Sequence, residues 1–152
     1  PPRSTLFPYT TLFRSVVKIV LDTNVLVSAL LSPTGAPSQV VSLVLAGKAS
    51  LLYDSRILLE YEEVLRRPKF AFSDTVVDAV LQVMEAEGEQ VLAEPQPDEL
   101  TDEGDRAFYE VAVSGDASYL VTGNQRHYPT ETWIVTPTEF LQRYRKRKPR
   151  QR

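Results

Sequence analysis

The sequence predicts an α/β domain with a mostly parallel central sheet. Three observations carry that expectation. Short, nearly all-apolar runs rich in β-branched residues recur at 16–21, 49–53 and 119–122, the pattern of strands covered on both faces. Segments of helical period lie between them, bounded by capping residues, glycines and prolines. Strands and helices alternate along the chain, which favours right-handed crossovers within one sheet.

The elements follow in order. VVKIVL (16–21) reads as the first strand. Val25–Leu31 is a short helix ended by Ser32-Pro33, and SPTGAP (32–37) is turn chemistry. Ser38–Ala46 is a second helix, with Gly47 just past its end. Ala49–Tyr53 is the second strand. Asp54 or Ser55 caps the helix Arg56–Arg67, which Pro68 stops. Ser73 or Asp74 starts a helix through Glu87, with Val76, Val77, Val80, Leu81 and Met84 on one face and Gly88 at its end. Gln90–Ala93 is a weak third strand, and 94–104 is a polar loop. Arg106–Ser114 is helical, with Phe108, Val111 and Ala112 facing inward. Tyr119–Thr122 and Trp133–Val135 are further strands, and Pro137 opens a last helix over 137–143.

Composition narrows the chemistry. A chain of 152 residues, 43% hydrophobic, fits one domain with one core. There is no cysteine, so disulfides and thiolate zinc sites are excluded and a reducing cytoplasm is the natural setting. The single histidine, His127, argues against a histidine-based zinc site. A metal here is held mainly by oxygen, which suits Mg²⁺ or Mn²⁺. No apolar run reaches the roughly 20 residues that span a bilayer, so no membrane partner is expected.

Residues 1–15 repeat TLF among Pro, Thr and Ser without a sustained period. They are expected to be a non-native or disordered leader, with the domain at 16–142. The last ten residues, RYRKRKPRQR (143–152), carry seven Lys or Arg and no acid. The remaining 142 residues hold 10 basic and 20 acidic residues, a balance of −10. The basic end is expected to be a disordered tail, either merely solvated or holding phosphates by counterion release.

Ligands of open parallel sheets gather at the carboxyl ends of the strands. Asp22 directly follows the first strand. Its position alone leaves two readings, a cation ligand or a cap for the next helix. Thr23 and Asn24 beside it can hydrogen-bond and orient its carboxylate. Glu60 and Glu63 share roughly one face of the helix after the second strand. For Glu63 a surface pair with Arg66 or Arg67 is the competing reading. Asp105 and Asp102 precede the helix 106–114, where either can act as cap. Carboxylates that converge repel unless a divalent cation neutralises them.

LDTNVLVSALLSPTGAP (21–37), EYEEVLRRPKF (60–70), YLVTGNQRHYP (119–129) and IVTPTEFL (134–141) resemble the PIN-domain family. The branch they are most similar to is the VapC-like toxin component of toxin–antitoxin systems. The resemblance runs from about Val16 to Leu141. It implies a three-layer α/β/α sandwich and a Mg²⁺- or Mn²⁺-dependent endoribonuclease. It places the family's catalytic, metal-holding acids on Asp22, Glu60 and Asp105, with Asp102 and Glu63 as lesser candidates. The fourth acid is replaced: Asn124 or His127 stands in its segment. Asn124 can still hold or orient a metal-bound water through its carbonyl, which puts a second metal in doubt. Arg106, Arg126 and Lys69 are the expected phosphate contacts. RNA is the implied substrate, single-stranded or looped. An antitoxin protein and a homodimer are the implied partners.

Three other readings compete. One is a housekeeping RNA-processing nuclease of the same fold. Another is a non-catalytic RNA-binding module with an incomplete acidic site. The third, an aspartate-dependent phosphatase, requires an acid two residues after Asp22, where Asn24 stands instead.

Overall fold

Val17–Leu21 forms β1, the middle strand of a five-stranded sheet, in a computed structural model that describes residues 16–147. The expected leader, 1–15, and residues 148–152 lie outside the described residues. After β1 come α1 (Thr23–Leu31), α2 (Ala36–Leu45), β2 (Ala49–Tyr53), α3 (Ser55–Leu65), α4 (Asp74–Glu87), β3 (Glu89–Gln90), α5 (Arg106–Ser114), β4 (Tyr119–Val121), β5 (Ile134–Val135) and α6 (Pro137–Arg147). The strand order is β3-β2-β1-β4-β5 and every pairing is parallel. Helices flank the sheet in a three-layer α/β/α sandwich. The expected fold class is correct.

The apolar runs are explained by their place in the sheet. Val17, Ile19, Val20 and Leu21 of β1 are all buried, as are Leu51 and Leu52 of β2. A parallel strand covered by helices has no solvent face to alternate against. Lys18 is the exception in β1; it points outward and pairs with Glu89 at 3.3 Å. Phe108, Val111 and Ala112 of α5 are buried as expected.

Local signals set most helix ends. Asp54 accepts the Ile57 amide at 3.1 Å and Ser73 accepts the Val76 amide at 3.2 Å, so each is the cap of its helix. Gly47 takes φ of +75°, the left-handed conformation that closes α2. Gly88 is different, because its φ is −84°. A Cβ there would lie 2.6 Å from the Met84 carbonyl oxygen and 2.7 Å from that of Leu51. Glycine is required at 88 by close approach of backbone to β2, not by helix termination.

Several expectations need correction. Helices α1 and α2 each begin two residues earlier than their apolar period suggested. The third strand is Glu89–Gln90, with only the Val91 amide continuing the pairing to the Tyr53 carbonyl. Val76 is exposed, while Val77, Val80 and Met84 form the buried stripe of α4. The basic segment is not a disordered tail from 143 onward, because α6 continues to Arg147. Tyr144 packs on Phe140, with centroids 5.8 Å apart. Arg143 donates to the Thr132 carbonyl at 2.5 Å, and Arg145 to Gln39 Oε1 at 2.9 Å. Cations in a last helical turn also oppose the negative end of its dipole.

The topology locates the crevice. From β1 the chain builds outward to β2 and β3, then crosses to the other side of β1 for β4 and β5. Connections diverge at the β1/β4 boundary, which leaves an opening beyond the carboxyl ends of those strands. Leu21 pairs with Val121 in register, so the next residues of the two strands, Asp22 and Thr122, are brought side by side.

Candidate active site at the β1/β4 crevice

Asp22 is 5% exposed, and its side chain makes no capping bond to α1 although it stands at the cap position. Instead, Oδ2 accepts the Thr122 hydroxyl at 2.8 Å and the Tyr128 phenol at 2.9 Å. Hydrogen bonds to a charged acceptor are the stronger kind, and two of them hold the carboxylate in one orientation. Oδ1 takes no hydrogen bond from the described residues. Thr122 is itself fixed, since its Oγ1 accepts the Asn124 amide at 2.9 Å. Burial, with the charge of Asp22 nearby, pushes the Tyr128 phenol far above its ordinary value, so it stays a donor.

Tyr61 extends this support from α3. Its buried hydroxyl donates to the Leu21 carbonyl at 2.6 Å, one residue before Asp22. Thr23 and Asn24 do not orient Asp22 as expected. The Thr23 hydroxyl donates to Glu60 Oε2 instead. Asn24 Oδ1 accepts the Gly123 amide at 3.0 Å and ties α1 to the end of β4.

Glu60 is half-buried on α3. Burial raises its proton affinity, and the charges of Asp22 and Glu63 add to that; the Thr23 hydrogen bond and Arg67 oppose it. Asp105 lies at the cap position of α5 but, like Asp22, makes no capping bond. Burial and the Asp22 charge push its carboxyl up to about 6, with His127 opposing. Asp22 thus acts electrostatically on both Glu60 and Asp105. Glu60, Glu63, Asp102 and Asp105 line one open groove of about 500 Å³.

A tighter group lies at one end of that groove. Asp102, Asp105 and His127 each bring one possible ligand atom within 4.8 Å of the other two. It is the only such trio of histidine or carboxylate groups among the described residues, so Asp22, Glu60 and Asp105 are not drawn together to that separation. The donor set of the crevice, carboxylates with one imidazole, fits a hard or borderline divalent cation.

The remaining expected residues divide. Glu63 is exposed and pairs with Arg67 at 2.9 Å, the surface reading. Arg106 is not free to meet a phosphate. It pairs with Glu103 at 2.6 Å and donates to the carbonyls of Gln96 and Asp98 at 2.9 and 3.0 Å. Lys69 lies 5.1 Å from the Phe70 ring centroid. Arg126 is exposed beside a second groove that Tyr128 and Pro129 also line. Asn124 is exposed, and its backbone amide serves Thr122.

Sequence reasoning missed Thr122, Tyr128 and Tyr61. The register of β1 against β4 would have exposed Thr122, but strand neighbours are not written in a local pattern. Tyr128 follows the short turn Gln125–His127 and carried no signal of its own.

Comparison with known proteins agrees with this architecture. The chain is 26% identical over 144 residues to an uncharacterized protein of Methanocaldococcus jannaschii, covering 86% of this chain and 93% of that one. No solved structure matches it. No helix among the described residues is long and apolar enough to cross a membrane. Residues 18–126 match the PIN domain, and this span takes in β1, the crevice and all the acids that line it: the chain belongs to the PIN-domain family, whose fold is of the nuclease type.

Proposed function

We propose that the protein is a divalent-metal-dependent ribonuclease that hydrolyses RNA phosphodiester bonds. One observation carries the reading above the rest. Asp22, buried and held from one oxygen only, raises the proton affinity of both Glu60 and Asp105 at the carboxyl end of the sheet. A site that concentrates negative charge in this way is built to be neutralised by a cation.

Asp22, Glu60 and Asp105 are the residues that would hold it, with Asp102 and Asn124 at the margin. A divalent cation there supplies Lewis acidity toward a phosphate oxygen and toward water. The chain's own residues do the rest. Thr122 and Tyr128 fix the Asp22 carboxylate, leaving Oδ1 for the ion. Thr23 holds Glu60 at the rim. The open groove leaves room for a strand whose bases are not paired. Arg126 and Lys69 are the cations left to meet phosphates, since Arg106 is engaged with Glu103 and the 94–104 loop.

The finer reading is a toxin of a toxin–antitoxin pair, supported by the resemblance of segments 21–37 and 60–70. The acidic groove suits a basic side chain from an antitoxin, and the family's homodimer is the expected assembly. Induced expression that arrests growth in the wild type but not in Asp22→Asn tests the toxin role.

The direct test of the nuclease is cleavage of labelled single-stranded RNA with Mg²⁺ or Mn²⁺. Cleavage lost in Asp22→Asn supports the enzyme. Binding of RNA without cleavage under either metal overturns it in favour of a binding module.

A further inference from the structure

We propose that His127 is a metal ligand of this site, so that its cation is Mn²⁺ in preference to Mg²⁺. The inference rests on the nuclease reading and adds to it the identity of the ion and a nitrogen donor.

The geometry carries it. His127 Nδ1 lies 3.1 Å from Asp105 Oδ2. Two neighbouring ligands on an octahedral ion with bonds of about 2.1 Å stand roughly 3.0 Å apart. Asp102 supplies the third atom of the group within 4.8 Å. The Asp102 side chain reaches the Gly104 amide through Oδ1 at 2.8 Å, which sets its orientation while Oδ2 stays available.

Two separate pieces of backbone are held so that these atoms meet. His127 ends the short turn Gln125–His127, closed by its amide on the Asn124 carbonyl at 3.0 Å. The loop carrying Asp102 approaches that turn through Thr101, whose hydroxyl donates to the Arg126 carbonyl at 3.5 Å. Asp22 adds a nine-tenths-buried carboxylate whose Oδ1 has no hydrogen-bond donor among the described residues. Its charge acts on Asp105.

Ligand chemistry then selects the ion. Mg²⁺ takes oxygen donors and keeps much of its water. Imidazole suits the later divalent metals, and Mn²⁺ accepts both donor types. An imidazole in the place of an acid lowers the negative charge of the site while adding a borderline donor. Both changes weaken Mg²⁺ more than Mn²⁺.

The test uses the full chain with Mn²⁺ alone as the probe. Electron spin-echo modulation of bound Mn²⁺ is expected to show coupling to an imidazole nitrogen in the wild type. His127→Gln is expected to lose that coupling and to bind Mn²⁺ about tenfold more weakly, with little change for Mg²⁺. His127→Asp is expected to move the preference toward Mg²⁺. Circular dichroism melts check that each variant folds, and the wild-type spectrum needs no variant at all. Bound Mn²⁺ without nitrogen coupling, with affinity unchanged in His127→Gln, overturns the ligand and leaves the nuclease standing. No Mn²⁺ binding together with no RNA cleavage overturns both.

Discussion

Tyr128 donates its phenol to Asp22 at 2.9 Å across 106 residues of sequence. With Thr122 on the same oxygen, it makes a buried carboxylate tolerable where the sheet's connections diverge. Removing the donor in Tyr128→Phe is expected to cost about 1.5–3 kcal/mol, the range for hydrogen bonds to charged groups. Chemical denaturation measures it. RNA cleavage is expected to fall as well, because Asp22 loses half of what orients it. A variant as stable and as active as the wild type would remove Tyr128 from the site.

Asp22→Asn keeps an oxygen to accept from Thr122 and Tyr128 but removes the charge. The fold is expected to survive, with a melting temperature equal to or above that of the wild type in the absence of metal, since a buried charge is costly. Divalent-cation binding, read by calorimetry, is expected to weaken by more than about tenfold.

Asp105 makes cation binding depend on pH. Its folded carboxyl titrates at about 6, above its ordinary 3.8. A raised carboxyl stabilises the folded state when protonated. That contribution is complete below 3.8 and is lost as pH rises through about 6. A cation replaces the proton above that value and competes with it below. The rise in melting temperature on adding Mn²⁺ is therefore expected to be larger well above pH 6 than well below it. Equal shifts on both sides would separate Asp105 from the ion.

Glu110 shows the opposite sign. It is 5% exposed, accepting from Arg56 at 2.9 Å and from the Gln96 amide at 3.0 Å. Burial alone would raise its carboxyl, but those bonds and the charges of Arg56 and Arg106 hold it below its ordinary 4.5. Its stabilising contribution is complete above 4.5 and is lost as pH falls through the lower folded value. Glu110→Gln is expected to flatten acid unfolding in that range. It should also loosen the 94–104 loop that leads to Asp102 and Asp105, which amide exchange at Gln96 reports.

Gly88→Ala is expected to destabilise the fold by about 1–3 kcal/mol, because its Cβ would meet two backbone carbonyls that cannot swing away. Gly47→Ala, where φ is +75° and no atom lies within 4 Å of a Cβ, is expected to cost about 1 kcal/mol from backbone strain alone. Urea titration of both variants separates the two causes.

The sequence by itself determined the fold class, the strand and helix order and most caps. It did so because buried parallel strands read as unbroken apolar runs and because Asp54, Ser73 and Gly47 act on their own neighbours. It also marked Asp22, Glu60 and Asp105 through their places after strands and before helices and through a family resemblance. Those signals are local, or nearly so. Only the tertiary structure decided what each acid touches. Thr122 meets Asp22 because β4 lies beside β1 in one register, and Tyr128 meets it because a turn folds back over the strand ends. Arg106 turned inward because Glu103 and the 94–104 carbonyls are close enough to engage all of its donors. His127 came to Asp105 because the 94–104 loop and the 125–127 turn share one rim. Contacts made across 20 to 106 residues leave no periodic trace, since each end of the contact satisfies its own local pattern whichever partner it finds.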